Sequence, residues 1–125
     1  MDDSLLGPYR WKNRILVVFN TGDEFKVSQK EILEQDIPGL LDRDMIILGL
    51  GGVHEPYKIE STLDLGELRE AHDLGGSSIA LFGKDGSVKA RWDRTVSISE
   101  VFNIIDSMPM RRREMREKRD RVRLA

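Results

Sequence analysis

The sequence predicts an α/β domain built on a mixed four-stranded sheet, and three features predict it. Two continuous apolar runs, Arg14 to Phe19 and Asp44 to Leu50, read as strands buried on both faces. A helical pattern lies between them, which makes them a right-handed parallel crossover pair. The turn Lys84-Asp85-Gly86-Ser87 then joins two further strand-like runs and closes the sheet with an antiparallel hairpin.

Each element has its own local cause. Pro8 to Asn13 is an aromatic and basic lead-in to the first strand, with Tyr9 and Trp11 expected as packing anchors. Between Asp23 and Leu41 the residues Phe25, Ile32, Leu33, Ile37, Leu40 and Leu41 trace a helical face, and Pro38-Gly39 is expected to break it into one helix and a further turn. Gly51 to Leu63 reads as a loop. Asp64 with Glu67 forms a capping pair for a short helix bearing Leu65, Leu68 and His72 on one face, which Gly75-Gly76 is expected to stop. Ser77 to Phe82 is the third strand. Val88, Ala90 and Trp92 alternate with charged residues, so the fourth strand is half-buried and lies at an edge. Ser97 with Glu100 forms a capping box ahead of Ile98, Val101, Phe102, Ile105 and Met108, the clearest amphipathic helix in the chain. Arg111 to Val122 is a basic helix with opposite charges four apart at Arg113/Glu117, Glu114/Lys118 and Arg116/Asp120. This order is the layout of a thioredoxin-like fold, with helices on both faces and a basic C-terminal helix. Residues 1–110 are expected as the domain and 111–125 as a helical extension.

The 125 residues suit one compact, soluble domain, since 39% are apolar and 34% charged. The chain has no cysteine, which excludes thiol redox chemistry, disulfides and thiolate-held metals. No apolar run approaches the roughly 20 residues a bilayer span needs. The net charge of −2 conceals a division: residues 111–125 carry +5 and the rest −7. The acidic N-terminus is not a secretory leader, so the expected compartment is the cytoplasm. A chain from which an export signal had been removed would look the same and would be periplasmic or secreted.

Four segments resemble a bacterial family, the domain of unknown function 4174. They are Tyr9-Arg10-Trp11-Lys12-Asn13-Arg14, Leu41-Asp42-Arg43-Asp44, the hairpin Gly83 to Lys89, and Met108-Pro109-Met110-Arg111-Arg112-Arg113-Glu114-Met115. The resemblance spans nearly the whole chain, and the last segment is its most specific part. It implies a thioredoxin-like fold related to domains of vertebrate secreted matrix proteins with sushi repeats or coiled-coil names, and it implies no established activity. Gly75-Gly76-Ser77 stands where a thioredoxin would usually place its cis-proline, which argues against a thioredoxin-type peptide groove.

Candidate chemistry is sparse. Thioredoxin-like enzymes keep their nucleophile in the loop after the first strand, where this chain has Asn20-Thr21-Gly22-Asp23-Glu24. A threonine cannot replace a thiol, and Asp23 and Glu24 suit a helix N-terminus as caps and dipole partners. Gly49-Leu50-Gly51-Gly52 lacks the spacing of a phosphate loop. The neighbours His54-Glu55 and His72-Asp73 are too few for a metal centre, and His72 reads as a partly buried structural residue. No cofactor, metal or catalytic residue is therefore expected.

The contact candidates are Arg111, Arg112, Arg113 and Arg91, whose guanidiniums suit carboxylate or phosphate partners. Arg111 to Arg113 could equally belong to a solvated helix lying on the acidic body. The expected function is a non-redox binding or scaffold module for an unknown protein or for self-association, with nucleic acid disfavoured by the acidic body. The alternative is a small-ligand or anion binder, or an enzyme of unknown reaction, using the loops after the first two strands.

Overall fold

The computed structural model describes residues 6–19, 22–51, 56–57 and 64–124, with side chains to residue 121. Four strands form one mixed sheet: β1 (Arg14–Val18), β2 (Met45–Leu48), β3 (Ile79–Phe82) and β4 (Val88–Trp92). Their order is β2-β1-β3-β4. β1 runs parallel to β2 with Leu16 opposite Ile47, and antiparallel to β3 with Val17 opposite Ala80. β4 is the antiparallel edge, as its alternating burial requires. This α/β arrangement is consistent with a thioredoxin-like fold.

Strand periodicity divides the core into two layers. Leu16 and Val18 of β1, with Ile79 and Leu81 of β3, face one layer and pack with Leu33, Leu40, Val101 and Ile105. Those partners come from α1 (Asp23–Leu33), α2 (Ile37–Asp42) and α4 (Ile98–Asp106). Ile15, Val17 and Phe19, with Ala80 and Phe82, face the other layer. There they meet Leu6 and Tyr9 of the lead-in and Leu68 and Leu74 from α3 (Leu65–Ala71) and the turn after it. Each fully buried aliphatic side chain of this kind contributes about 1.5–3 kcal/mol. The last helix, α5 (Pro109–Leu124), follows α4 after a two-residue corner.

Several local expectations need correction. The break between α1 and α2 is a single 3-10 turn at Glu34–Asp36, and Pro38 lies in the first turn of α2, where its missing N–H costs nothing. Asp36 caps that helix by accepting from the Gly39 N–H at 2.9 Å. α3 ends before the two glycines. Asp73 takes the left-handed conformation at φ 53°, and the Leu74 N–H returns to the Arg69 carbonyl. The N-cap of α1 is Gly22, with no side-chain cap, so Asp23 and Glu24 act as first-turn dipole partners and not as caps. Half of the Ser97/Glu100 box forms: Ser97 accepts from the Glu100 N–H, but the Glu100 carboxylate turns away to Trp92 Nε1 at 2.7 Å. Tyr9 is buried and anchors the lead-in, whereas Trp11 is 59% exposed with φ 68°.

One glycine is fixed by a close approach. Gly49 has φ +97°, and a Cβ there would lie 1.9 Å from the Val18 carbonyl oxygen. The end of β2 therefore passes against the end of β1 with no room for a side chain. Gly49→Ala should cost about 3 kcal/mol, because steric overlap adds to left-handed backbone strain. Urea denaturation checks this as a lowered midpoint at unchanged slope.

Candidate functional site

The densest group of charges lies at the end of the sheet where β1 begins. Arg14 opens that strand and is 1% exposed, so its charge must be met inside the protein. Glu114 of α5 meets it with a paired contact, Nη1 to Oε1 and Nη2 to Oε2, both 3.2 Å. The Glu114 carboxylate also accepts from Lys84 Nζ at 2.8 Å. Lys84, in the β3–β4 hairpin, is itself buried and gives a second hydrogen bond to Asp44 at 2.7 Å. Asp44 stands ahead of β2 with φ 53°, and its carbonyl accepts from the Arg14 N–H. One carboxylate thus joins the first strand, the hairpin and the last helix.

A second group lies beside the first along α5. Arg111, 5% exposed, donates to Asp42 Oδ2 at 2.7 Å and to Asp106 Oδ1 at 3.2 Å. Arg43 pairs with the same Asp106 through Nε and Nη2, and its guanidinium lies 3.7 Å from the Phe102 ring centroid. Lys118, one turn beyond Glu114, reaches Asp42 at 2.6 Å.

These contacts shift the acids downward. The hydrogen bonds from Lys118 and Arg111 hold the Asp42 carboxyl at about 2. Burial alone would raise Asp106 and Glu114, but their cationic donors outweigh it and both lie below the usual carboxylate range. For Arg111, burial opposes the charge and the Asp42 and Asp106 carboxylates more than restore it, so its pKa is raised.

The four contact candidates therefore have different places. Arg111 is committed to the body. Arg112 and Arg113 are exposed and make no ion pair among the described residues. Arg91, on the edge strand, donates to the Asp73 carbonyl at 3.0 Å and fixes the turn after α3. None of the three predicted ion pairs within α5 forms; for Glu114/Lys118 the reason is that both side chains point to the body. Arg14 and Lys84 were invisible as site residues in the sequence. Arg14 looks like the polar margin of an apolar run and Lys84 like an ordinary turn residue. The available clue was Arg14 itself, a cation at the head of a strand with no neighbouring acid to pair with it.

A cleft of about 250 Å³ opens beside this network, between the hairpin and the α4–α5 corner. Its walls include Lys84, Asp85 and Lys89 on one side and Met108, Pro109 and Met110 on the other, with Arg14 also lining it. The Nε of Arg14 is buried with no hydrogen-bond acceptor among the described residues. An unmet donor of this kind costs about 1–3 kcal/mol, more when charged.

The opposite end of the sheet is different. A shallow depression of about 520 Å³ at the start of α1 is lined by Gly22, Asp23, Glu24, Phe25, Ser28 and Thr95. It holds two acids and no thiol. Asn20, Thr21, Gly52, His54 and Glu55 lie outside the described residues. His72 packs edge-on against Phe82 at 5.0 Å, as a structural residue would. No group of three metal-binding side chains occurs among the described residues. Nor is any helix among them long and apolar enough to cross a membrane.

Fold and site together define an α/β domain with a thioredoxin-consistent sheet, no cysteine, and its charge network at the end remote from the start of α1. The family model of the Domain of unknown function (DUF4174) matches residues 5–114, and the chain belongs to that family. The matched span ends on Glu114, the carboxylate that joins Arg14 and Lys84. The coiled-coil domain-containing protein 80 of Danio rerio is 26% identical over 143 aligned positions, covering 90% of this chain. The alignment takes in only 16% of that protein's length. No solved structure matches the chain at a significant level.

Glu114→Gln should destabilise the fold by about 2–4 kcal/mol, because it leaves two buried cations without their shared anion. Glu117→Gln, on an exposed and unpaired residue, should stay within about 0.5 kcal/mol. Chemical denaturation of both variants checks this. Acid should act through the same carboxylates. Folded pKa values below the unfolded ones stabilise the protein fully above the unfolded range, and that stability is lost as pH falls through the folded values. For Asp42 the window runs from about 4 down to about 2. The denaturation midpoint should be flat from neutrality to about pH 5 and fall steeply below about pH 4.

Proposed function

We propose that this chain is a non-redox binding module that docks an acidic protein segment on the outward face of α5, with residues 111–125 as the docking extension. The observation that carries the reading is the division of charge on that helix. Arg111, Glu114 and Lys118 turn inward and are paired. Arg112, Arg116 and Arg119 follow at intervals of four and three, which sets them on one face, and all three are exposed. They make no ion pair among the described residues, so the acidic body leaves them unneutralised. Guanidiniums spaced by one helical turn suit carboxylates on a partner strand or helix, each able to accept two parallel hydrogen bonds.

The rest of the molecule supports binding over catalysis. The loop in which a thioredoxin-like enzyme holds its nucleophile reads Asn20-Thr21-Gly22-Asp23-Glu24, and the chain has no thiol to place there. The body's net negative charge opposes a long polyanion that would lie across it as well as on α5.

The test is fluorescence anisotropy with a labelled glutamate-rich peptide. The wild-type chain should bind it in low salt, and binding should weaken as added salt screens the pairs. The triple variant R112Q/R116Q/R119Q should lose most of that affinity while its stability stays within about 1 kcal/mol, because the three side chains are exposed and make no ion pair among the described residues. Equal binding by wild type and variant would end this reading. Stronger binding to a single-stranded oligonucleotide of the same length would replace the protein partner with a nucleic acid.

A further inference from the structure

We infer that the cleft between the β3–β4 hairpin and the α4–α5 corner is a binding site for a small aliphatic carboxylate, its chain against Met108, Pro109 and Met110 and its head toward Lys89 and Arg14. This site is separate from the arginine face of α5, and neither test bears on the other.

Size and chemistry both point to such a ligand. The cleft of about 250 Å³ has room for about eight water-sized groups, at roughly 30 Å³ each. It is thus suited to a short chain and too small for a folded segment. One wall is Met-Pro-Met. Methionine is a flexible, polarisable side chain that moulds to irregular apolar groups, and Met110 is 37% exposed. The charges lining the cleft are three cations, Arg14, Lys84 and Lys89, against the single carboxylate of Asp85. Glu114 and Asp44 already neutralise Arg14 and Lys84, so Lys89, whose partner Asp85 is exposed, is the charge that favours an anionic head over an amine or a neutral one.

The three cations are not equivalent. Lys84 is held by Asp44 and Glu114. Arg14 has its Nη atoms on Glu114 and the Arg43 carbonyl, but its Nε, nine-tenths and more buried, has no acceptor among the described residues. Lys89 is the movable one. Among the described residues it pairs only with Asp85, at 3.2 Å, four residues away and partly exposed on both sides. An exposed pair of that kind is weak and exchangeable. The Lys89 stem crosses Gly83 so closely that a Cβ on Gly83 would lie 2.6 Å from Lys89 Cε. The glycine lets the lysine lie flat across the hairpin, with its ammonium at the cleft and its stem completing the apolar wall.

The experiment uses the full chain labelled with ¹³C at its methionine methyl groups and titrates in octanoate, with octylamine and 1-octanol as controls. Saturable shifts of the Met108 and Met110 methyls, with the core residue Met45 unmoved, are the expected result for octanoate alone. Lys89→Gln should weaken binding about fivefold. Asp85→Asn should tighten it roughly twofold, because it frees Lys89 while the amide oxygen still accepts from the Ser87 N–H. The unmoved Met45 signal reports that each variant is folded. No saturable shift with octanoate, an equal response to octylamine or octanol, or an unchanged affinity in both variants would overturn the assignment.

Discussion

Burial of the Arg14 charge is the constraint on which the rest of the structure depends. β1 is one of the two interior strands, and the arginine that opens it is 1% exposed. A guanidinium does not lose its proton inside a protein, so the fold must supply an anion to it. The acid that meets it, Glu114, comes from a helix 100 residues later in the chain. That helix brings Glu114 to Arg14 and Lys84 together, while Asp42 and Asp106 take up Arg111 and Asp42 also takes up Lys118. α5 is thus seated by charge pairing, whereas α1 and α4 are seated by apolar packing. The span matched by the family model ends on this same residue.

Most of the fold was legible in the sequence because its causes are local. β1 and β2 announce themselves by unbroken apolar runs, and α4 by its periodicity and the Ser97 cap. The turn around Gly86 is readable because a left-handed residue is needed there. What failed was also local, but a matter of competition between neighbouring signals. Pro38 is both a helix breaker and a good first-turn residue, and Asp36, placed to cap the Gly39 amide, decided for the second role. The stop after α3 fell on Asp73, since the helix terminates where the Leu74 amide can return to the Arg69 carbonyl, ahead of the two glycines.

The site was less legible, for a different reason. Glu114 and Lys118 have the spacing of a helical ion pair, and sequence alone favours that nearest partner. The buried Arg14 is a more demanding partner than an exposed lysine, because its desolvated charge gains more from a carboxylate. The same logic separates Arg111 from Arg112 and Arg113. Three consecutive arginines are identical as letters, yet helical rotation turns the first toward Asp42 and Asp106 and leaves the other two in water.

The two tryptophans lie in opposite surroundings, and this gives the chain an optical property of its own. Trp92 is 9% exposed, with its indole N–H on the Glu100 carboxylate, while Trp11 stands 59% exposed with its backbone amide on the Lys84 carbonyl. A dissolved ionic quencher reaches the second fluorophore far more readily than the first. Emission from Trp11 therefore follows displacements of the hairpin, and emission from Trp92 follows the integrity of the sheet. One cuvette can distinguish a molecule that has rearranged at its cleft from one that has unfolded, without any attached dye.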